Sequence, residues 1–210
     1  MKLSRLGICG IISLLSYAAS VFISPLAYPG YNWMSMAVSE LSAVGAPSRD
    51  LAGQLSSLFG PCGIVCIMAV CVAAANFESK KLRVGIYLFA AMEWVCNVGY
   101  QLFPWCADAN GFSLQNTMHI VVTVAVVVLS IVSLLVIAVG ARKGEQRSIG
   151  VWAVICFVAM MAGAIGTNIL PKGIFGIAER FSTFSVVVFN AVLGYYLFRG
   201  RFDALTAMSE

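Results

Sequence analysis

Apolar residues in this chain fall into long runs separated by short polar links. Six runs are long enough to cross about 30 Å of hydrocarbon. They are Leu6–Ala27, Leu51–Ala75, Leu82–Phe103, Leu114–Gly140, Ile149–Leu170 and Phe181–Phe198. Lipid offers no partner to an open backbone group, so each run is predicted to be helical. The pattern predicts an all-α membrane protein: a single six-transmembrane-helix bundle filling residues 1–210. Lys2 and Arg5 before the first run, and Ala18, Ala19 and Ser20 within it, imitate a signal peptide. The run continues to Ala27, beyond an ordinary signal core, and is read as the first span.

The polar links set the orientation. The N-terminus, the second and fourth links and the C-terminal tail lie on one side. With the adjoining Arg83, that side holds ten basic residues: Lys2, Arg5, Lys80, Lys81, Arg83, Arg142, Lys143, Arg147, Arg199 and Arg201. The opposite side holds three, Arg49, Lys172 and Arg180. This asymmetry places both termini in the cytoplasm. Tyr28, Tyr31, Trp33 and Trp105 would mark the outer interface, and Trp152, Tyr195 and Tyr196 the inner one. In the long first outer link, Asn32 can cap a short amphipathic helix. Met34, Val38 and Leu41 would share one of its faces, and Ser35, Ser39 and Ser42 another. Gly45 and Pro47 can end it, and Ser48 can cap the second span with Asp50 in its first turn.

Composition sharpens this picture. The chain of 210 residues is 60% hydrophobic and 10% charged, with a mean hydropathy of +0.92, a balance of polytopic membrane proteins. The net charge of +4 reflects juxtamembrane residues, not a nucleic-acid surface. Six of the seven cysteines lie in apolar runs, Cys106 alone in a link, and none forms a CxxC or Cys/His metal spacing. They read as buried thiols.

Against this background, intramembrane polar residues stand out. Glu93 lies near the middle of the third run, and an acid at that depth is a functional candidate by default. Asn97 and Tyr100 or Gln101 follow it at helical spacing. Asn116, His119 and Thr123 form a matching stripe on the fourth run. At about 1.5 Å per residue, Asn97 and His119 lie at similar depths. Consecutive helices are usually neighbours, so the stripes could enclose an outward-opening polar pocket between spans three, four and six. Asp108 and Asn110, Ser39 and Glu40, Thr167 and Asn168, and Glu179 and Arg180 could close it from the outer side.

Each of these residues also has a structural reading. His119 could make an interhelical hydrogen bond, Glu93 could be a structural acid paired with Asn97, and Glu179 and Arg180 could form ion pairs with other residues. No metal is expected, since the single histidine and scattered acids lack ligand spacing. No cofactor is expected either, as phosphate loops, GxSxG and HExxH are absent. Gly60 and Gly63, and Gly163 and Gly166 with Ala159, give small faces suited to bundle packing, or secondarily to a homo-oligomer.

The chain resembles the integral-membrane family known as domain of unknown function 998. The resemblance rests on Ser39-Glu40-Leu41 with Gly45 and Pro47, on Leu102-Phe103-Pro104, on His119, and on Gly176 with Glu179-Arg180. Family members usually read Ser-Asp-Leu-Gly where this chain has Ser39-Glu40-Leu41-Ser42. The resemblance implies six helices and a more distant similarity to the six-span Frag1/DRAM/Sfk1 group. It implies no reaction.

The expected function is therefore a plasma-membrane protein, prokaryotic in character, that binds or moves a lipid or other small amphiphile. Ser39, Glu40, Glu93, Asn97, Asn116, His119, Thr123, Glu179 and Arg180 would be its ligand-binding residues. The alternative is an intramembrane lipid hydrolase or transferase, with His119 as general base oriented by Glu93 or Asp108 and Ser39 as a weak nucleophile. A third reading is a proton-coupled transporter titrating at Glu93, although no broken helix or repeat is evident in the sequence. A purely structural partner subunit is the last.

Overall fold

A computed structural model describes residues 2–106, 113–142 and 147–202. Helix α1 (Ile8–Ile23) is flanked by the 3-10 turns Leu3–Gly7 and Ser24–Ala27. It is followed by α2 (Arg49–Leu55), α3 (Phe59–Ala74), α4 (Lys80–Leu102), α5 (Leu114–Gly140), α6 (Arg147–Ile169) and α7 (Phe175–Phe198). Five stretches are long and apolar enough to cross a membrane: Leu3–Ala27, Arg49–Ala74, Leu114–Gly140, Arg147–Ile169 and Lys172–Phe198. Helix α4 is also long, at 23 residues, but Glu93, Asn97 and Gln101 lower its hydropathy.

Its register against α5 is nonetheless unbroken. Leu82 lies against Gly140, Gly85 against Ile137 and Gly99 against Val122, and Phe103 meets His119. The two helices therefore run antiparallel over the 21 steps from Leu82 to Phe103, about 31 Å at 1.5 Å per residue. The remaining helices complete a ring, in which α3 packs on α4, α5 on α6, α6 on α7, and α1 on both α3 and α7. Helix α7 is the innermost: 61% of its apolar window is buried, against 22–39% in the other four candidate spans. Phe189 on α7 meets Phe89 on α4 edge to face at 5.2 Å, within a core that also holds Ile67, Ile86 and Met92.

The second expected span is interrupted at Ser56–Leu58. Pro61 supplies no N–H and its ring crowds the carbonyl four residues earlier, that of Ser57. The Phe59 N–H then bonds to Ser56, not to Leu55. Helix α1 supplies donors around the break, among them Ser16 to the Leu55 carbonyl that the Phe59 N–H leaves. Ser13, Ser16 and Ser20 lie on one face and donate to the carbonyls of Phe59 (2.7 Å), Leu55 (2.6 Å) and Ala52 (3.1 Å). These three hydroxyls stitch α1 to the broken span.

The other differences from expectation have similar causes. The last helix begins at Phe175, not Phe181, because the heads of Glu179 and Arg180 find backbone partners and do not stop it. The link between α1 and α2 carries the 3-10 turn Val38–Ser42 and no α-helix starting at Asn32. Asn32 instead closes a tight turn through Met34 N–H, and the carbonyls of Trp33, Met34 and Met36 bond to α7. Ser48 precedes α2 but caps nothing, since its buried hydroxyl donates to Leu41 O at 2.7 Å.

Interhelical hydrogen bonds inside a membrane average about 0.6 kcal/mol. Replacing Ser13, Ser16 and Ser20 together by alanine should therefore cost about 2 kcal/mol, read as a lower unfolding midpoint in detergent with helical content unchanged.

Candidate functional site

The predicted site residues divide into three polar clusters. The first lies where the link between α1 and α2 crosses the start of α7. Arg180 Nη1 donates to the carbonyls of Trp33 (2.8 Å), Met36 (3.2 Å) and Gly176 (2.8 Å), while Nη2 donates to the Tyr31 hydroxyl at 2.7 Å. Tyr31 in turn donates to Ala37 O at 2.8 Å. Burial raises the Tyr31 pKa, and the Arg180 guanidinium only partly offsets it, so the hydroxyl keeps the proton it donates. Glu179 Oε2 accepts from Val38 N–H at 2.7 Å, and Ile177 N–H donates to Met34 O. Glu40 serves the same link from within, accepting from Ala37 N–H at 2.8 Å. Ser39 is half-buried. Glu179 and Arg180 thus act on the backbone of residues 33–38, and no salt bridge is present among the described residues. Gly176 makes this approach feasible: a Cβ there would collide with Met36 O and lie 2.6 Å from Trp33 O.

The second cluster closes the turn from α4 to α5. His119 Nδ1 lies 2.8 Å from Phe103 O, which assigns the ring proton to Nδ1 and leaves Nε2 as the basic nitrogen. The imidazole sits between Tyr100 and Trp105, with ring centroids 5.0 and 5.5 Å away. Asn116 reads both backbone groups of Cys106, accepting at 2.9 Å and donating at 3.0 Å. Thr123 accepts from the Tyr100 hydroxyl at 3.1 Å. Val44 N–H donates to Trp105 O at 2.8 Å, so this segment is also tied to the link between α1 and α2. Asp108 and Asn110 lie outside the described residues.

The third cluster is in the core. Glu93 is only 5% exposed. Its carboxyl group accepts from the Asn97 side-chain amide at 3.4 Å, and the Asn190 amide lies beside it over Gly63. Asn190 Nδ2 also donates to Gly63 O at 3.2 Å, and its Oδ1 is buried with no partner among the described residues. Gly63 leaves room for Ser13, Asn190 and Glu93 to converge, and Asn97 packs on Gly60. Glu93 and Asn97 therefore face α3 and α7, whereas Asn116 and His119 face residues 103–106. Thr167 and Asn168 bond back to Ala164 O on their own helix. Gly163 and Gly166 pack on Ser182 and Ala178, so both small faces are used within the bundle. All seven cysteines are free.

Sequence reasoning missed Asn190, although it is the only amide in its span. It also missed a concave surface. Helices α1 and α6 both pack on α7 but stand apart from each other. They leave a groove of about 440 Å³ floored by Phe181, Phe184, Ser185 and Val188 of α7. Phe22 of α1 forms one wall, and Ile155, Cys156 and Ala159 of α6 the other. Trp33 and Arg180 bound one end and Trp152 lies towards the other. Apart from Arg180, its lining is almost wholly apolar.

The family model for proteins of unknown function designated DUF998 matches residues 11–196. The chain belongs to that family, as a helical membrane-type protein. The match does not reach the Frag1/DRAM/Sfk1 group. No curated protein and no solved structure matches the chain.

Two expectations follow from these clusters. Gly176→Val should force residues 33–36 off α7 and lower thermal stability by about 1–3 kcal/mol, with faster proteolysis within residues 31–40. Glu93→Gln keeps a carbonyl acceptor for Asn97 and Asn190, so its unfolding midpoint in detergent should stay near wild type. Glu93→Leu removes that acceptor and should cost about 1–2 kcal/mol.

Proposed function

We propose that the protein is a six-span plasma-membrane protein that holds the apolar part of a lipid or similar amphiphile in the groove between α1, α6 and α7. The observation that carries this reading is the groove itself, a lateral cleft of about 440 Å³ with almost wholly apolar walls. That volume lies in the range of about 300–1,000 Å³ typical of small-molecule sites. An opening through the side of a bundle admits a ligand already dissolved in the bilayer.

The six-span count is supported by the pairing of α4 with α5 over about 31 Å, because two helices in such register share one depth. Helix α4 then crosses with Lys80, Lys81 and Arg83 at its cytoplasmic end, and the ten-to-three distribution of basic residues sets both termini inside. On this orientation Trp33 and Arg180 stand at the outer end of the groove and Trp152 towards the inner.

The polar residues first considered for head-group contact have backbone or internal partners: Arg180 with residues 33–36, Asn116 with Cys106, and His119 with Phe103. They support the ligand site by holding the bundle's outer end and the Trp33 link in place. A second reading draws on Glu93, a core acid whose described partners are amides and not cations. It makes the Glu93–Asn190 pair an intramembrane proton site in a coupled transporter. Uptake that requires a pH gradient and disappears in Glu93→Gln would favour it over the groove reading.

Ala159 is half-buried on the groove wall, so Ala159→Trp should fill the cleft and leave the core intact. In native mass spectrometry, wild type should retain bound phospholipid under activation that strips it from Ala159→Trp, with equal unfolding midpoints. Equal lipid retention by the two proteins would remove the groove as the ligand site.

A further inference from the structure

The geometry points to an anionic phospholipid as the groove's occupant, its phosphate on Arg201 and an acyl chain lying along α7. This inference rests on the groove reading above and adds the head-group class and its position.

A second concavity of about 320 Å³ adjoins the first and shares Trp152 and Val188 with it. It continues along the same face of α7 past Ala191, Val192 and Tyr195, and it ends at Arg201. The two form one trough, with an arginine at each end. The arginines differ in availability. Arg180 is occupied by three carbonyls and the Tyr31 hydroxyl, which leaves it little capacity for a ligand. Arg201 is exposed, and among the described residues its only partner is the face of Tyr196, 5.0 Å from the guanidinium carbon. An apolar trough that ends in a cation with no acidic partner among the described residues matches a ligand with an apolar chain and an anionic head.

The fold builds this end deliberately into the bundle. Helix α7 stops at Phe198, and Gly200 takes the left-handed conformation, with φ of +67°, that lets the chain reverse. Phe202 then inserts into the core, 1% exposed, with its ring 5.3 Å from Phe77. Arg201 is held between these two anchors at the mouth of the trough. Arg199, one turn edge away, leans over Tyr195 at 6.0 Å and does not line either concavity. A guanidinium suits phosphate, since it can donate two parallel hydrogen bonds to it, and in an anionic head group no ammonium offsets that charge as choline does. The inner position agrees with the orientation proposed above, where the cytoplasmic leaflet carries the anionic lipids.

The test is a native mass spectrometry competition between phosphatidylglycerol and phosphatidylcholine with identical acyl chains, added in equal amounts to the full-length protein in detergent. Wild type should retain phosphatidylglycerol in preference by roughly fivefold, which corresponds to about 1 kcal/mol for one basic residue. Arg201→Gln should bring the ratio near one and keep phosphatidylcholine bound, Arg199→Gln should leave the ratio at its wild-type value, and Ala159→Trp should lose both lipids. A wild-type ratio near one, an unchanged ratio in Arg201→Gln, or an equal fall in Arg199→Gln and Arg201→Gln would overturn the assignment. If Ala159→Trp still loses both lipids in those cases, the groove reading survives. Retention of both lipids by Ala159→Trp would overturn the groove reading itself.

Discussion

Backbone carbonyls that lack a helical partner govern this bundle. In hydrocarbon there is no water to satisfy them, and each must find a donor from the protein. The polar side chains are distributed accordingly. Ser13 and Ser16 serve the carbonyls around the break between α2 and α3. His119 and Asn116 serve Phe103 and Cys106 as the chain leaves α4. Arg180 serves Trp33 and Met36 as the link between α1 and α2 crosses α7. Three irregular segments, each able to break a membrane helix or expose a loop, are thereby fixed to regular ones.

The same constraint gives physical meaning to the residues that carry the family resemblance. Glu40 lies well over a hundred positions before Gly176, Glu179 and Arg180, yet they meet at one junction. Glycine permits the contact, arginine and glutamate supply its donor and acceptor, and Glu40 shapes the link that is gripped. Leu102-Phe103-Pro104 and His119 form a second junction, in which the histidine accepts the task of holding a carbonyl that the proline-terminated helix cannot satisfy. Val44 joins the two junctions through Trp105. This end of the bundle carries one connected hydrogen-bonded cap.

Much of the fold was legible in the sequence. Long apolar runs located the helices, and helical spacing grouped Glu93 with Asn97 and Asn116 with His119 and Thr123. Spacing, however, fixes only which residues share a face of their own helix. It does not fix the rotation of that face relative to neighbours. Glu93 turned to Gly63 and Asn190, while His119 turned to the end of α4. The break at Ser56–Leu58 had a visible cause in Pro61, but the apolar run around it concealed the effect. The short helix expected at Asn32 failed because its carbonyls were needed elsewhere, by Arg180 and by Ile177 N–H, and no local pattern records a demand made from more than 140 residues away.

The groove was illegible for a different reason. Its walls are ordinary lipid-facing residues, such as Phe22, Ile155 and Val188, and nothing in their identity separates a cleft from a convex surface. What creates it is a gap between two helices that share one neighbour: α1 and α6 each satisfy their packing on α7 and not on each other. The helix between them is therefore the most buried span and also the floor of an open trough. A bundle that commits its polar side chains to holding its own backbone retains few of them to recognise a soluble ligand. It still presents shape and apolar area to the bilayer, with an exposed Arg201 at one end. The division of labour follows from hydrocarbon as a solvent: polar groups maintain the scaffold, and the scaffold's incomplete closure forms the groove proposed as the site.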